Sequence, residues 1–218
     1  MKQFLFFVLL MTCLVSVNGQ GAVIMQDKTF VYQHRKDSAL FYSISREPAF
    51  SKMSDIEQES VYWINFLRSN PRTFRTSFLK PFLAQFPEMQ SAAARSLDRE
   101  LAEATSMSIL LPATNLDKAA LLQARYLVES NQFTHTGPKG KPFKSRMEDV
   151  GVKECAGENL FEGKADPLVS LMLLLIDQGV AGYGHRKALL NESFNRIGVS
   201  AVVEDNGAMI MVQVFSCQ

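Results

Sequence analysis

Histidine and cysteine are scarce in this 218-residue chain, three of each. No CxxC or HExxH pattern occurs, which excludes a zinc ribbon and a zincin. No GxSxG elbow and no phosphate-cradling glycine loop is found either. The formal net charge is +1, and no run of six like charges or low-complexity tract exists. A broad basic face for nucleic acid is therefore excluded. No internal repeat marks a solenoid or a propeller. What remains is an ordinary globular balance, 47% apolar and 21% charged. That suffices for one well-cored domain with extensions.

The start, "MKQFLFFVLLMTCLVSVNGQ", carries Lys2, an apolar run from Phe4 to Val15, then small and polar residues. This is the layout of a secretory signal peptide, with cleavage expected between Val17 and Gln20. The run is shorter than the roughly 20 residues that a bilayer span needs, which disfavours an uncleaved anchor. Thr12 before Cys13 matches a lipoprotein site poorly. The mature chain is expected to be extracellular and without a transmembrane span. Removing residues 1–20 also removes Cys13 and leaves an even pair, Cys155 and Cys217, a candidate disulfide in an oxidising compartment.

Residues 21–53 read as an N-terminal extension. "TFVYQHRKDSALFYSI" suggests a short strand there, with His34 exposed and without a role. From Ser54 to the C-terminus the pattern is that of one domain. Ser54 caps a helix whose Ile56, Ser60, Trp63, Ile64 and Leu67 share one face, and Pro71 ends or bends it. Further helices are expected in "SAAARSLDRELAEATSMSIL", "NLDKAALLQARYLVESNQF" and "ADPLVSLMLLLIDQG". The last has Asp166 as cap, Pro167 at its first position and a run apolar nearly all round, so it should be buried. "ECAGENLFEG" reads as a strand. "NRIGVSAVVED" and "AMIMVQVFSC" read as a β-hairpin turning at Asp205, Asn206 and Gly207. Helices come first and strands late, so the fold class is α+β, with a small antiparallel sheet covered by helices.

Three polar constellations carry the candidate chemistry: "FTHTG" with His135, "CAGENLFEG" with Glu158, and "DQGVAGYGHRKALLN" with Asp177 and His185. Imidazole is the commonest metal ligand, and a carboxylate either ligates or orients a histidine from behind. The same groups suit acid–base work. Each has a plainer use: a histidine holding its loop, Glu158 pairing with Arg186 or accepting backbone N–H groups, Asp177 ending a helix. "NES" at Asn191 is a glycosylation sequon.

The motifs "INFLRSNP", "FTHTG", "GENL", "LLIDQGV" and "GHRKALLNESFNRIGVS", in that order, resemble the CAP superfamily of cysteine-rich secretory, antigen 5 and pathogenesis-related proteins. The resemblance runs from about Asp55 to the C-terminus and is nearest the shorter SCP-like branch. It implies a three-layer α-β-α sandwich and a cleft with a His-Glu-Glu-His tetrad. His135, Glu158, Asp177 and His185 fall at the tetrad positions, Asp177 one methylene short of glutamate. Gly182 and Gly184 would aim His185 into the cleft, with the following strand holding its base. The function so implied is a secreted binding module whose cleft takes Zn²⁺ or another divalent cation, with a lipid or extracellular protein ligand. The alternative is a hydrolase or protease, metal-assisted or using a hydroxyl nucleophile. No nucleophile motif supports an enzyme; Thr134 and Thr136 merely flank His135.

Overall fold

The computed structural model describes residues 28–217. The expected signal peptide at residues 1–20, with Cys13, lies outside them.

Asp37 accepts the N–H groups of Ala39 and Leu40 and starts helix α1 (Ser38–Ser45). The strand expected in this stretch is not formed. Its aromatic residues have no neighbouring strand to pair with, so the chain before Asp37 runs irregularly and packs on helices instead. Helix α2 (Asp55–Ser69) opens with a capping box, Glu57 accepting the Ser54 N–H at 2.8 Å. Every residue from Ser60 to Arg68 is buried. After Asn70 the chain passes through α3 (Pro71–Phe74), a π-helical turn at Arg75–Leu79, and α4 (Lys80–Gln85). Ser91 then caps α5 (Ala92–Glu103).

The N-terminal segment straps these helices. Phe30 meets Phe82 edge-on, and Tyr32 meets Trp63 and Phe78. His34 lies half-buried among Tyr62, Trp63, Phe66 and Phe78, its Nε2 at 2.6 Å from the Tyr62 hydroxyl. It is not the exposed histidine expected, because four rings from α2 and the π-turn close around it.

The rest of the chain forms β1 (Leu111–Pro112), α6 (Thr114–Ser130), α7 (Phe143–Asp149), β2 (Ala156–Lys164), α8 (Pro167–Ile176), α9 (Gly184–Leu189), β3 (Arg196–Val203) and β4 (Ala208–Ser216). Asp166 and Pro167 start α8 as read, and its apolar run is buried. Sheet order is β1-β3-β4-β2. The three long strands are antiparallel; β1 adds two residues parallel to β3, so the sheet is mixed. Alternation along β4 builds two cores. Met209, Met211 and Phe215 join the core with α2 and α8, while Val212 and Val214 join the one under α6. Helices thus cover both faces, giving the three-layer α-β-α arrangement.

Two details fix the sheet. Gly198 lets α6 lie directly on β3: a Cβ there would stand 2.2 Å from the Leu116 carbonyl carbon. Past the short β1, side chains take over the free edge of β3, Asp117 accepting the Val199 N–H and Glu57 that of Ala201. At the other end, Cys155 and Cys217 are joined beside the Ala156–Ser216 pair, 62 residues apart in sequence. In the chain-entropy picture that loop contributes about 4 kcal/mol.

Candidate functional site: two carboxylate-held imidazoles

His135 lies in the loop that follows α6. Asn131 ends that helix in the left-handed region, φ 50°. Gln123, buried on α6, then donates from Nε2 to the Thr134 and Thr136 carbonyls at 2.7 and 3.4 Å. The Thr134 hydroxyl accepts the Thr136 N–H. With its loop pinned this way, His135 presents Nδ1 to Glu158 Oε1 at 2.9 Å. The imidazole is 45% exposed and the carboxylate 1%.

Glu158 is not paired with Arg186. Its partner is Arg146 of α7, whose Nη2 donates to both carboxylate oxygens at 2.8 Å and to the His135 carbonyl at 3.0 Å. A buried carboxylate held by a guanidinium is acceptor-only, so the proton between it and His135 belongs to Nδ1. Arg146 Nε and Nη1 and Gln123 Oε1 are buried and without partners among the described residues. Arg146 Nε and Gln123 Oε1 lie close to Gly137, where a Cβ would stand 2.5 Å from Arg146 Cδ.

The second pair is built at the end of α8. Asp177 takes the left-handed conformation, φ 54°, and Gly179 and Gly182 follow with φ 84° and 74°. This tight excursion returns the chain to α9, and His185 sits in that helix rather than at the base of a strand. Asp177 Oδ1 accepts from His185 Nδ1 at 2.7 Å, while Oδ2 accepts the N–H groups of His185 and Arg186 at 2.9 and 3.4 Å. The shorter acid therefore does reach its histidine. Arg186 is committed elsewhere, donating to the carbonyls of Leu175, Ala93 and Ile176, and it stacks on Tyr183 at 4.1 Å.

The four candidates are gathered as two pairs. Neighbouring strand residues face opposite ways. Glu158 points to the α6 and α7 side of β2; the next residue, Asn159, points to the α8 and α9 side, where its Nδ2 donates to the His185 carbonyl at 3.3 Å. Since β2 is an edge strand, the two pairs flank one point on the rim of the sheet. Among the described residues no group of three or more His, Cys, Asp or Glu gathers that could hold a metal ion. Each imidazole has its Nδ1 taken, and neither Nε2 has a partner among the described residues. The threonine hydroxyls beside His135 bond neither histidine. Asn191 is half-buried, its Oδ1 accepting the Ser193 N–H.

Sequence reading missed Arg146, which stands in no motif. It also missed Gln123, although a polar residue interrupting the apolar stripe of Leu116, Ala120, Ala124 and Leu127 is a visible anomaly.

Among the described residues no helix is long and apolar enough to cross a membrane. An uncharacterized protein, YkwD of Bacillus subtilis (strain 168), is 33% identical over 89 residues, 40% of this chain; the match spans only about a third of that relative's length, 32%. Two solved structures are similar with TM-scores of 0.43. An extracellular SCP-domain protein of Bacillus anthracis str. Ames is 24% identical, over 57% of this chain and 38% of its own. The CAP domain of Enterococcal PrgA is 15% identical, over 90% and 85%. Residues 65–218, from within α2 to the C-terminus, match the family model described as CAP, the cysteine-rich secretory protein family. With its helix-covered sheet and its histidine-bearing motifs all inside that span, the chain belongs to the CAP family.

Proposed function

We propose that this protein is an exported CAP-domain binding module whose ligand-facing atoms are the Nε2 nitrogens of His135 and His185. One observation carries the reading: each imidazole has its Nδ1 bonded to a carboxylate, and its Nε2 is unpaired among the described residues. A carboxylate behind an imidazole fixes its tautomer and raises its donor strength, the arrangement used to hold metals and polar ligands. Export rests on the N-terminal segment and on the family. Leu122 and Phe133, exposed on α6 and in the loop before His135, supply apolar surface for a lipid or protein ligand.

The donor chemistry suits Zn²⁺ or another divalent cation. The grouping suits it less: neither pair supplies three donors, both carboxylates are turned to their histidines, and the Arg146 guanidinium sits on Glu158. A cation bound by these imidazoles would therefore be held weakly. Calorimetric titration of Zn²⁺ into the protein is expected to give binding in the micromolar range or weaker. His135→Ala or His185→Ala should each reduce it about tenfold or more. Unchanged binding in both variants would remove the imidazoles from the site.

The hydrolase reading draws on the Asp177–His185 pair alone, which resembles the orienting half of an acid–base dyad. It lacks a hydroxyl on His185 Nε2, so binding is favoured. Turnover of an ester or peptide panel that disappears in His185→Ala would reverse that preference.

A further inference from the structure

Between α4 and α5 lies an open groove of about 490 Å³. Its lining combines apolar Leu83, Ala84 and Ala94 with polar Gln90 and Asp98 and the cations Lys80, Arg95 and Arg99. We infer that this groove binds a small amphiphilic anion, a single carboxylate or phosphate head on a short apolar body.

The shape has a cause in the sequence. Ala84 and Ala94 carry only a methyl group each, which leaves room in the groove that they line. Its volume lies in the range of small-molecule sites. Its lining pairs apolar side chains with three exposed cations, which fits a ligand with one charged end.

The charge is uncompensated. Asp98, the carboxylate in the lining, is already taken by Arg75 through a two-point contact at 2.8 and 2.9 Å. Glu100, close in sequence, pairs with Arg186. Among the described residues Lys80, Arg95 and Arg99 make no side-chain hydrogen bond or ion pair. Arg95 and Arg99 stand one turn apart on the same helix, a spacing at which like charges repel and a carboxylate would be the stabilising neighbour. An anion seated between them and Lys80 removes that repulsion and gains charge-assisted hydrogen bonds. The apolar body then covers Leu83 and the two alanines. The inference is independent of the histidine reading, since none of these side chains touches the rim of β2.

The test is titration of decanoate and of octyl phosphate, followed by backbone amide NMR shifts, with decanol and inorganic phosphate as partial ligands. Expected are saturable shifts confined to α4 and α5 for both amphiphilic anions, with decanol and inorganic phosphate each at least about tenfold weaker. The double variant Arg95→Glu/Arg99→Glu should abolish binding. Ala84→Phe, at an exposed position in the lining, should fill the groove while leaving the far-ultraviolet spectrum unchanged. A preference for octyl phosphate would identify a phosphate head as the natural ligand, and a preference for decanoate a carboxylate. The inference fails if neither anion gives a saturable shift, if decanol binds as well as decanoate, or if folded variants bind like the wild type.

Discussion

Asp177→Asn is expected to reverse the proton on His185. Three donors converge on the Asp177 carboxylate: His185 Nδ1 on Oδ1 at 2.7 Å, and the backbone N–H groups of His185 and Arg186 on Oδ2 at 2.9 and 3.4 Å. An amide has one oxygen and one NH₂ group. The two backbone donors belong to α9 and cannot turn, so they keep the amide oxygen where Oδ2 now sits. The NH₂ group then faces Nδ1, which must accept, and the imidazole proton moves to Nε2. Hydrogen bonds to a charged acceptor contribute about 1.5–3 kcal/mol each, neutral ones about 1. Two bonds weakened and one inverted should cost about 2–3 kcal/mol. For a chain of this size that lowers the melting temperature by roughly 5–10 °C. Affinity for any ligand held through Nε2 should fall about 10- to 100-fold. Long-range proton–nitrogen correlation spectra of histidine-labelled protein read the tautomer directly, and thermal unfolding reads the cost. Persistence of the Nδ1–H tautomer with an unchanged melting temperature would refute the argument, because it would mean the carboxylate does not hold the ring.

Two further outcomes follow from the sheet. Burial, reinforced by the neighbouring Glu57 carboxylate, pushes the Asp117 carboxyl up from 3.8 to about 7. Between those values the folded chain holds a proton that the unfolded chain has lost, so stability falls as pH rises through that window; Asp117 is half-buried, and after solvent screening the effect should be about 1–2 kcal/mol. Asp117→Asn keeps the acceptor for Val199 and should flatten that part of the stability–pH curve in denaturant titrations; an unchanged slope would show that Asp117 does not cause it. Gly198→Ala must push α6 off β3, since the added carbon would stand 2.2–2.5 Å from backbone atoms of Leu116 and Asp117; a cost of about 3 kcal/mol or more is expected, and a melting temperature within a degree or so of wild type would contradict the close approach.

Much of the layout was legible because it follows from local rules. Asp166 and Pro167 announce α8, Ser54 and Glu57 announce α2, and Gly207 at φ 80° turns the hairpin read at Asp205 to Gly207. The strand expected before Asp37 failed for a non-local reason. Phe30, Tyr32 and His34 have strand-like composition, but a strand needs a partner, and the available surface was a pile of helical aromatics. The two-residue β1 was equally invisible, since a parallel bridge depends on where Asn195 and Ile197 arrive.

The candidate site divides in the same way. His135, Glu158, Asp177 and His185 stood out because imidazoles are rare here and each lies in a glycine-bearing motif. Their grouping did not follow from spacing. Arg146, nine residues beyond the "FTHTG" loop of Phe133 to Gly137 and on helix α7, takes the carboxylate that sequence reading offered to Arg186. Arg186 is drawn instead to carbonyls of Ala93, Leu175 and Ile176. Arg68, in the "INFLRSNP" motif, likewise donates to carbonyls of Ser108, Leu189, Asn191 and Phe194.

By itself the sequence determined which segments are helix or strand, which faces are apolar, and which few side chains carry chemistry. These depend on caps, periodicity and residue type within a turn or two of chain. Only the tertiary structure decided which acid faces which histidine and on which side of β2. A side chain's partner depends on how separate elements pack, and successive residues of one strand look in opposite directions.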